Sequence, residues 1–235
     1  MSLLSSLPLK SLKSFVATHL NISWPYALKS YSQEGEDIVL RKLFDGQSNG
    51  FYVDVGAHHP FRYSNTQYFY EQGWQGINID ATPGSLENFR RTRHRDINIE
   101  AVVGETSGEV SYYLFEDPAL NTMSAKKAKE TEENQQSRLL KTVKLPLSRI
   151  DKILDRNLPV GASIDFMSID VEGSELEVLR SNNWQKYRPT IIVVEALSNA
   201  SLKELFDSPL IIFLERENYA FVGRTINSLY FRRSD

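Results

Sequence analysis

The sequence predicts an α/β protein built on a mostly parallel sheet, and three observations carry that reading. Strand-like apolar runs alternate with helix-like segments from about Ser32 to Glu195, the order expected of βαβ units with right-handed crossovers. Asp54, Asp80 and Asp170 stand at the carboxyl ends of three of those runs, the edge at which open α/β sheets bind ligands. The tail, 219–222 and 228–231 around Gly223 to Asn227, reads as an antiparallel hairpin closing the sheet. A chain of 235 residues suits one such unit, because domains commonly run about 100–200 residues and α/β sheets often exceed that.

Composition narrows the class. The 12 Phe, 11 Tyr and 3 Trp argue against disorder, and 12 Gly with 9 Pro are too few for a collagenous or low-complexity chain. With no cysteine there is no disulfide, thiolate zinc site, iron–sulfur cluster or thiol nucleophile, which agrees with a cytoplasmic protein. Thirty acids against 27 bases leave a net charge of −3, so there is no general attraction to nucleic acid. No apolar run approaches the ~18–20 residues that span a bilayer.

Taken in order, residues 1–30 stand apart. Lys10, Lys13 and Lys29 are the formal charges before Glu34, and Leu3, Leu7, Leu12, Phe15, Val16 and Leu20 recur at near-helical spacing. This arm lacks a basic n-region. It reads as a helix that packs on the main domain, pairs two copies into a homodimer, or lies on a membrane surface. The domain proper covers 31–235. EDIVLRKLF (36–44) is helical in pattern, 51–55 is a buried strand, 66–72 a helix, 76–80 the second strand, 85–93 a helix and 97–103 the third strand. Residues 110–115 form a further strand. The polar stretch at about 117–142, richest in Lys, Glu and Gln over 125–138, is a solvated helix or a mobile flap over a site. The fourth strand, 164–170, is followed by a helix at 174–180 and by the most hydrophobic strand, 190–195.

GFYVDVGAHHP (50–60) is the most informative stretch. Gly56 permits a tight turn and close approach of a ligand. The next residues are Ala57, His58, His59 and Pro60, with no glycine before Gly73, so the GxGxxG turn of dinucleotide binders is absent. That disfavours an NAD-dependent oxidoreductase. A nucleoside ligand without phosphates, such as S-adenosylmethionine, needs only one close approach, although the turn taken alone also fits an ordinary strand–turn. Asp80 ends the second strand, where an acid can accept hydrogen bonds from both ribose hydroxyls. Ser64-Asn65-Thr66 makes a helix N-cap whose positive end, beside Ser64 and Asn65, can receive a carboxylate.

YSQEGEDIVL (31–40), GFYVDVGAHHP (50–60), SNTQYFYEQGWQGINIDATPGS (64–85), LPLSRIDKIL (145–154), FMSIDVEGSELEVL (166–179) and RPTIIVVE (188–195) together resemble the FkbM-type S-adenosylmethionine-dependent methyltransferases. The likeness runs in order over about 31–195, and I-D-V-E-G-S-E is its most specific block. It implies the class I methyltransferase fold, a Rossmann-like seven-stranded sheet with helices on both faces and its last strand antiparallel. It further implies transfer of a methyl group to a hydroxyl, most often on a sugar, glycan or natural product. Gln33, Asp54, Gly56, Ala57, Asp80, Ala81 and Asp170 are then expected to hold the cofactor, with Ser64 and Asn65 at its carboxylate and Glu100 or Ala101 at its adenine. Many relatives carry N-x-G after D-x-G-A; His58, His59 and Pro60 stand here instead, which suggests a subgroup with its own acceptor.

O-methylation of a poorly nucleophilic hydroxyl calls for a general base or a Lewis-acid metal. Asp170 is the first candidate base, His59 the second, and Glu172 and Glu195 follow. Asp170, Glu195 and His59 together offer a mixed N/O set for a divalent metal, although no compact ligand spacing supports one. Each histidine also has a structural reading, His58 capping backbone groups and His59 packing beside Pro60 and Phe61. The run Arg90, Arg91, Arg93, His94 and Arg95 reads as a solvated helix end or, against a phosphorylated acceptor, as a phosphate contact. Two alternatives stand beside this expectation: a non-catalytic binding or scaffolding subunit with the same fold, and methylation of a protein or small natural product.

Overall fold

The computed structural model describes residues 27–196 and 201–234, so most of the expected N-terminal arm lies outside the described residues. Tyr31–Asp235 pack as one compact unit. At its centre is β1, Phe51–Val55, which pairs in parallel with β2 (Gln75–Asp80) on one side and β7 (Phe166–Ile169) on the other. β3 (Ile97–Glu100) lies beyond β2; β8 (Ile191–Glu195), β10 (Ser228–Arg233) and β9 (Tyr219–Arg224) lie beyond β7. The order is β3-β2-β1-β7-β8-β10-β9, with β10 antiparallel to both neighbours. Strand order reverses between β1 and β7, and Val55 sits level with Ile79 and Ile169. The turns after β1, β2 and β7 therefore leave the sheet at one edge, beside a crevice.

Alternation along the strands sorts the core into two layers. Phe51, Val53, Val55, Ile77, Ile79, Met167, Ile169, Ile192 and Val194 face helices α5 (Ile150–Asn157), α6 (Glu175–Arg180) and α8 (Pro209–Arg216). Tyr52, Phe166, Ile191, Val193 and Tyr230 face α1 (Glu36–Leu43) and α2 (Gln67–Glu71). The second layer is aromatic: the Phe69 ring lies 4.8 Å from Trp74, edge-on, and 4.9 Å from Phe166, tilted, favourable arrangements for quadrupolar rings. α1 follows Gly35 and has Glu36 and Asp37 in its first turn and Arg41 and Lys42 in its last, in keeping with the helix dipole.

Three expectations need correction. The third strand does not run unbroken over 97–103. Ala101 N–H donates to the Asp80 carbonyl where β2 ends, and Val102–Val103 (β4) then joins a separate sheet ordered β4-β6-β5, with β5 at Gly108–Phe115 and β6 at Leu139–Ser148. The polar stretch is α-helical only over α4, Ala125–Glu133, after a single 3-10 turn at Pro118–Leu120; its last residues already belong to β6. The basic run is not one solvated helix end. The short helix α3 (Glu87–Thr92) ends within it, and Arg93 turns inward to complete burial while Arg90 and Arg91 stay outside.

Candidate active site

A cavity of about 240 Å³ opens at the crevice, just below the ~300–1,000 Å³ of ordinary ligand pockets. Of the sequence-predicted residues, Gln33, Gly56, Asp80, Ala81, Ala101, Asp170 and Glu172 line it. Gly56 has φ +88°, and a Cβ there would stand 1.6 Å from the Asp170 carbonyl oxygen. The glycine is thus required by main chain meeting main chain between β1 and β7, rather than by a ligand. Ala57 is buried outside the lining, its N–H bonded to the Ile79 carbonyl.

Asp80 braces the loops around it. Its Oδ2 accepts from His58 N–H at 2.8 Å, and its Oδ1 accepts from Thr82 N–H and Ser85 Oγ, each at 2.8 Å. A carboxylate offers about four lone-pair positions, so roughly one remains for a ligand. The expectation that Asp80 takes both ribose hydroxyls is reduced accordingly. His58 lines the cavity at φ 51°, and burial lowers its pKa against the pull of Asp80.

Beneath the cavity lies a buried polar network. Arg93 is fully buried; it donates to Thr66 Oγ1 at 2.7 Å, Ser64 Oγ at 2.8 Å and the Pro60 carbonyl, and stands 3.8 Å from Asp96. Thr66 Oγ1 donates onward to Asp54 Oδ2 at 3.0 Å. Burial pushes the Asp54 carboxyl up to about 6 despite Arg93, and Asp96 is raised for the same reason. Asp54 therefore lies outside the cavity lining, as part of a support. Ser64 Oγ also accepts the Gln67 N–H at 3.1 Å, so it is committed to Arg93 and to capping α2 and does not face a ligand carboxylate. Asn65 donates to Ser168 Oγ at 3.0 Å and borders a different cavity. Glu100 pairs with Arg90 at 3.3 Å away from the lining.

Four acids converge past the ends of β7 and β8. Asp170 is raised well above the carboxylate range by burial first and by the Glu172 charge second, while a hydrogen bond with Glu195 opposes the shift. Glu195 is raised by burial and then by Asp170. Burial also raises Glu172, opposed by Lys127 of α4, whose Nζ is 3.4 Å from its Oε2. Glu172 holds φ 55°, and its carbonyl accepts from Thr122 Oγ1 at 2.8 Å. Asp170, Glu175 and Glu195 each offer one oxygen within 4.8 Å of the others. His59 is not in that group and lines neither cavity; its Nδ1 accepts the N–H groups of Phe61 and Arg62, both at 3.1 Å. The mixed metal set thus loses its imidazole to a turn.

Sequence reasoning missed the far wall, made by Thr82, Tyr112, Asn121 and Met123. Asn121 Nδ2 donates to Thr82 Oγ1 at 2.9 Å, joining the small sheet's connection to the turn after β2. No local signal marks these residues: Tyr112 lies in β5, whose side chains range from buried to exposed, and Thr82, Asn121 and Met123 lie in connections outside the strands.

Solved structures similar in trace include a TehB-like SAM-dependent methyltransferase from Corynebacterium glutamicum, 8% identical, with 96% of this chain and 97% of that one covered and a TM-score of 0.43. A precorrin-6y C5,15-methyltransferase from Geobacter metallireducens is 16% identical over 90% and 93%, with a TM-score of 0.42. A 1,6-didemethyltoxoflavin-N1-methyltransferase from Burkholderia thailandensis, solved with 1,6-didemethyltoxoflavin and S-adenosylhomocysteine bound, is 13% identical over 97% and 88%, at 0.44. No curated protein sequence matches this chain. Residues 54–221, from the acid of β1 into the C-terminal hairpin, match the sequence profile of the Methyltransferase FkbM domain. The chain belongs to that family of methyltransferases.

Proposed function

We propose that this chain moves the methyl group of S-adenosylmethionine to a hydroxyl oxygen, on a sugar or glycan-type acceptor. The observation that carries the reading is the position of Asp170, a half-buried carboxyl that borders the main cavity where it meets a smaller, polar one and that desolvation raises well above the usual carboxylate range. The residues present fit the cofactor in kind. Ala101, Val102 and Val103 offer apolar surface to an adenine, and Asp80 keeps one acceptor position for a ribose hydroxyl. When bound, the sulfonium supplies a methyl carbon whose C–S electron pair leaves with sulfur. The chain's own part is to align the acceptor oxygen, which is most of the rate gain in such a displacement, and to take its proton on Asp170. A base whose pKa lies near the working pH is the effective one. Glu195, held protonated by burial and then by the neighbouring acids, donates to Asp170 and orients it.

Calorimetry with S-adenosylhomocysteine tests the cofactor half, and methyl transfer to a panel of methyl pyranosides tests the acceptor half. Binding in the micromolar range and turnover on one pyranoside are the expected outcomes; no binding at millimolar ligand overturns the enzyme reading. Asp80→Ala weakens S-adenosylhomocysteine by about 1–3 kcal/mol through the lost hydrogen bond to a charged acceptor. An affinity unchanged within a factor of two places the ribose elsewhere.

A further inference from the structure

The smaller cavity shares Gln33, Tyr63 and Asp170 with the larger one. Its volume is about 20 Å³, room for one water or one hydroxyl group, for which about 10–15 Å³ suffices. Asn65, Ser168 and Ser228 border it with Glu195, whose Oε2 is buried without a hydrogen-bond partner. A cavity this small and polar selects a single oxygen and excludes a ring.

Tyr63, at the junction, belongs to a braced segment. His58 and Tyr63 both hold positive φ, 51° and 57°, uncommon for residues with large side chains. Asp80 holds the His58 N–H, Arg93 holds the Pro60 carbonyl, His59 holds two amides, and the Tyr31 carbonyl holds the Ser64 N–H. Strain maintained by surrounding bonds is characteristic of binding segments. Here it presents Phe61 and Tyr63 to solvent, 46% and 45% exposed. The Arg62 guanidinium stands 4.5 Å over the Tyr63 ring. Asp117, which also lines the larger cavity, partly offsets that charge.

We propose that the small cavity is the well for the acceptor's reacting hydroxyl, and that Phe61, Arg62 and Tyr63 form the shelf that carries the rest of the acceptor, a pyranose ring. The C–H face of the ring rests on aromatic surface fixed at little entropic cost, and Arg62 donates to its outward hydroxyls. One hydroxyl reaches into the well and donates to Asp170, with the orphaned Glu195 oxygen beside it. This assignment rests on the methyltransferase reading above and names the side of the site on which specificity is set.

The test uses the full chain saturated with S-adenosylhomocysteine, probed by saturation-transfer NMR with methyl α-glucopyranoside, methyl α-mannopyranoside and their monodeoxy analogues. Saturation of ring C–H protons is expected in the wild type. Tyr63→Ala weakens the sugar at least fivefold, whereas Tyr63→Phe, which keeps the ring, stays within twofold. Among the monodeoxy analogues of the bound sugar, one loses tenfold or more, because its missing hydroxyl leaves buried polar atoms unpaired. Wild-type-like sugar binding by Tyr63→Ala overturns the shelf, and an even response across the deoxy series overturns the well. So does an absence of pyranoside signal while S-adenosylhomocysteine is bound. Failure of S-adenosylhomocysteine itself to bind overturns the underlying methyltransferase reading, which distinguishes the two.

Discussion

Replacing Arg93 by alanine lowers the unfolding free energy by about 3–5 kcal/mol, the cost of leaving buried charge without its partner. The guanidinium is wholly buried between Asp96, Thr66, Ser64 and the Pro60 carbonyl, and its field offsets the burial of Asp54 and Asp96. Lysine does not rescue it, since a point charge cannot reproduce a planar fork of donors. The deficit depends on pH in a defined direction. Both carboxyls have folded pKa values raised above their unfolded ones, Asp54 to about 6. A raised acid stabilises the fold below the unfolded pKa and loses that contribution as pH climbs through the folded one. Removing Arg93 raises both further, so the gap in denaturation midpoint between wild type and variant widens from about pH 5 to about pH 8. Urea melts at the two pH values check this. A gap under about 1 kcal/mol at the higher pH, the size of an exposed ion pair, or one that grows on acidification, contradicts the buried-network account.

Asp170→Asn lowers turnover by roughly 10²–10⁴, the usual contribution of a positioned general base, with the melting temperature held or raised because a half-buried carboxyl crowded by other acids is exchanged for a neutral amide. Burial and the Glu172 charge hold the Asp170 proton well above the ordinary carboxylate range. Wild-type activity therefore rises with pH later than a solvent-exposed carboxylate would allow, through neutrality, and the asparagine variant lacks that limb. A pH–rate profile on the best pyranoside, with and without the substitution, reads both effects. Equal rates, or an unchanged limb in the variant, move the base to another group.

Strands 51–55 and 191–195 were legible as short, largely apolar runs, and 75–80 because its two isoleucines alternate with small or polar residues; each is buried between two layers of helix. The acids past their ends were legible for the same reason, as polar residues placed where an apolar run stops. β6 was not legible. LLKTVKLPLS carries two lysines and a proline, faces water along much of its length, and pairs with β5 and β4 at the surface. Arg93 was hidden among four arginines within six residues, and α3 has too few turns for periodicity to show which of them points inward. His59 and Ser64 looked like site residues because their type permits chemistry; their commitment to turn and cap depends on partners that only folding supplies. The need for Gly56 was visible, and its cause was not, since Asp170 is distant in sequence.

The abutment of Gly56 on the Asp170 carbonyl ties occupancy to assembly. Neither half of the chain contains a seat, and a nascent chain acquires one only after its late fourth parallel strand has docked beside its first. A molecule settling there recognises the completed sheet and nothing earlier. At a hundredfold excess over its dissociation constant it adds about 2.7 kcal/mol against unfolding. With S-adenosylmethionine as the proposed occupant, the prediction is that added cofactor slows proteolysis of the full chain in proportion to that gain.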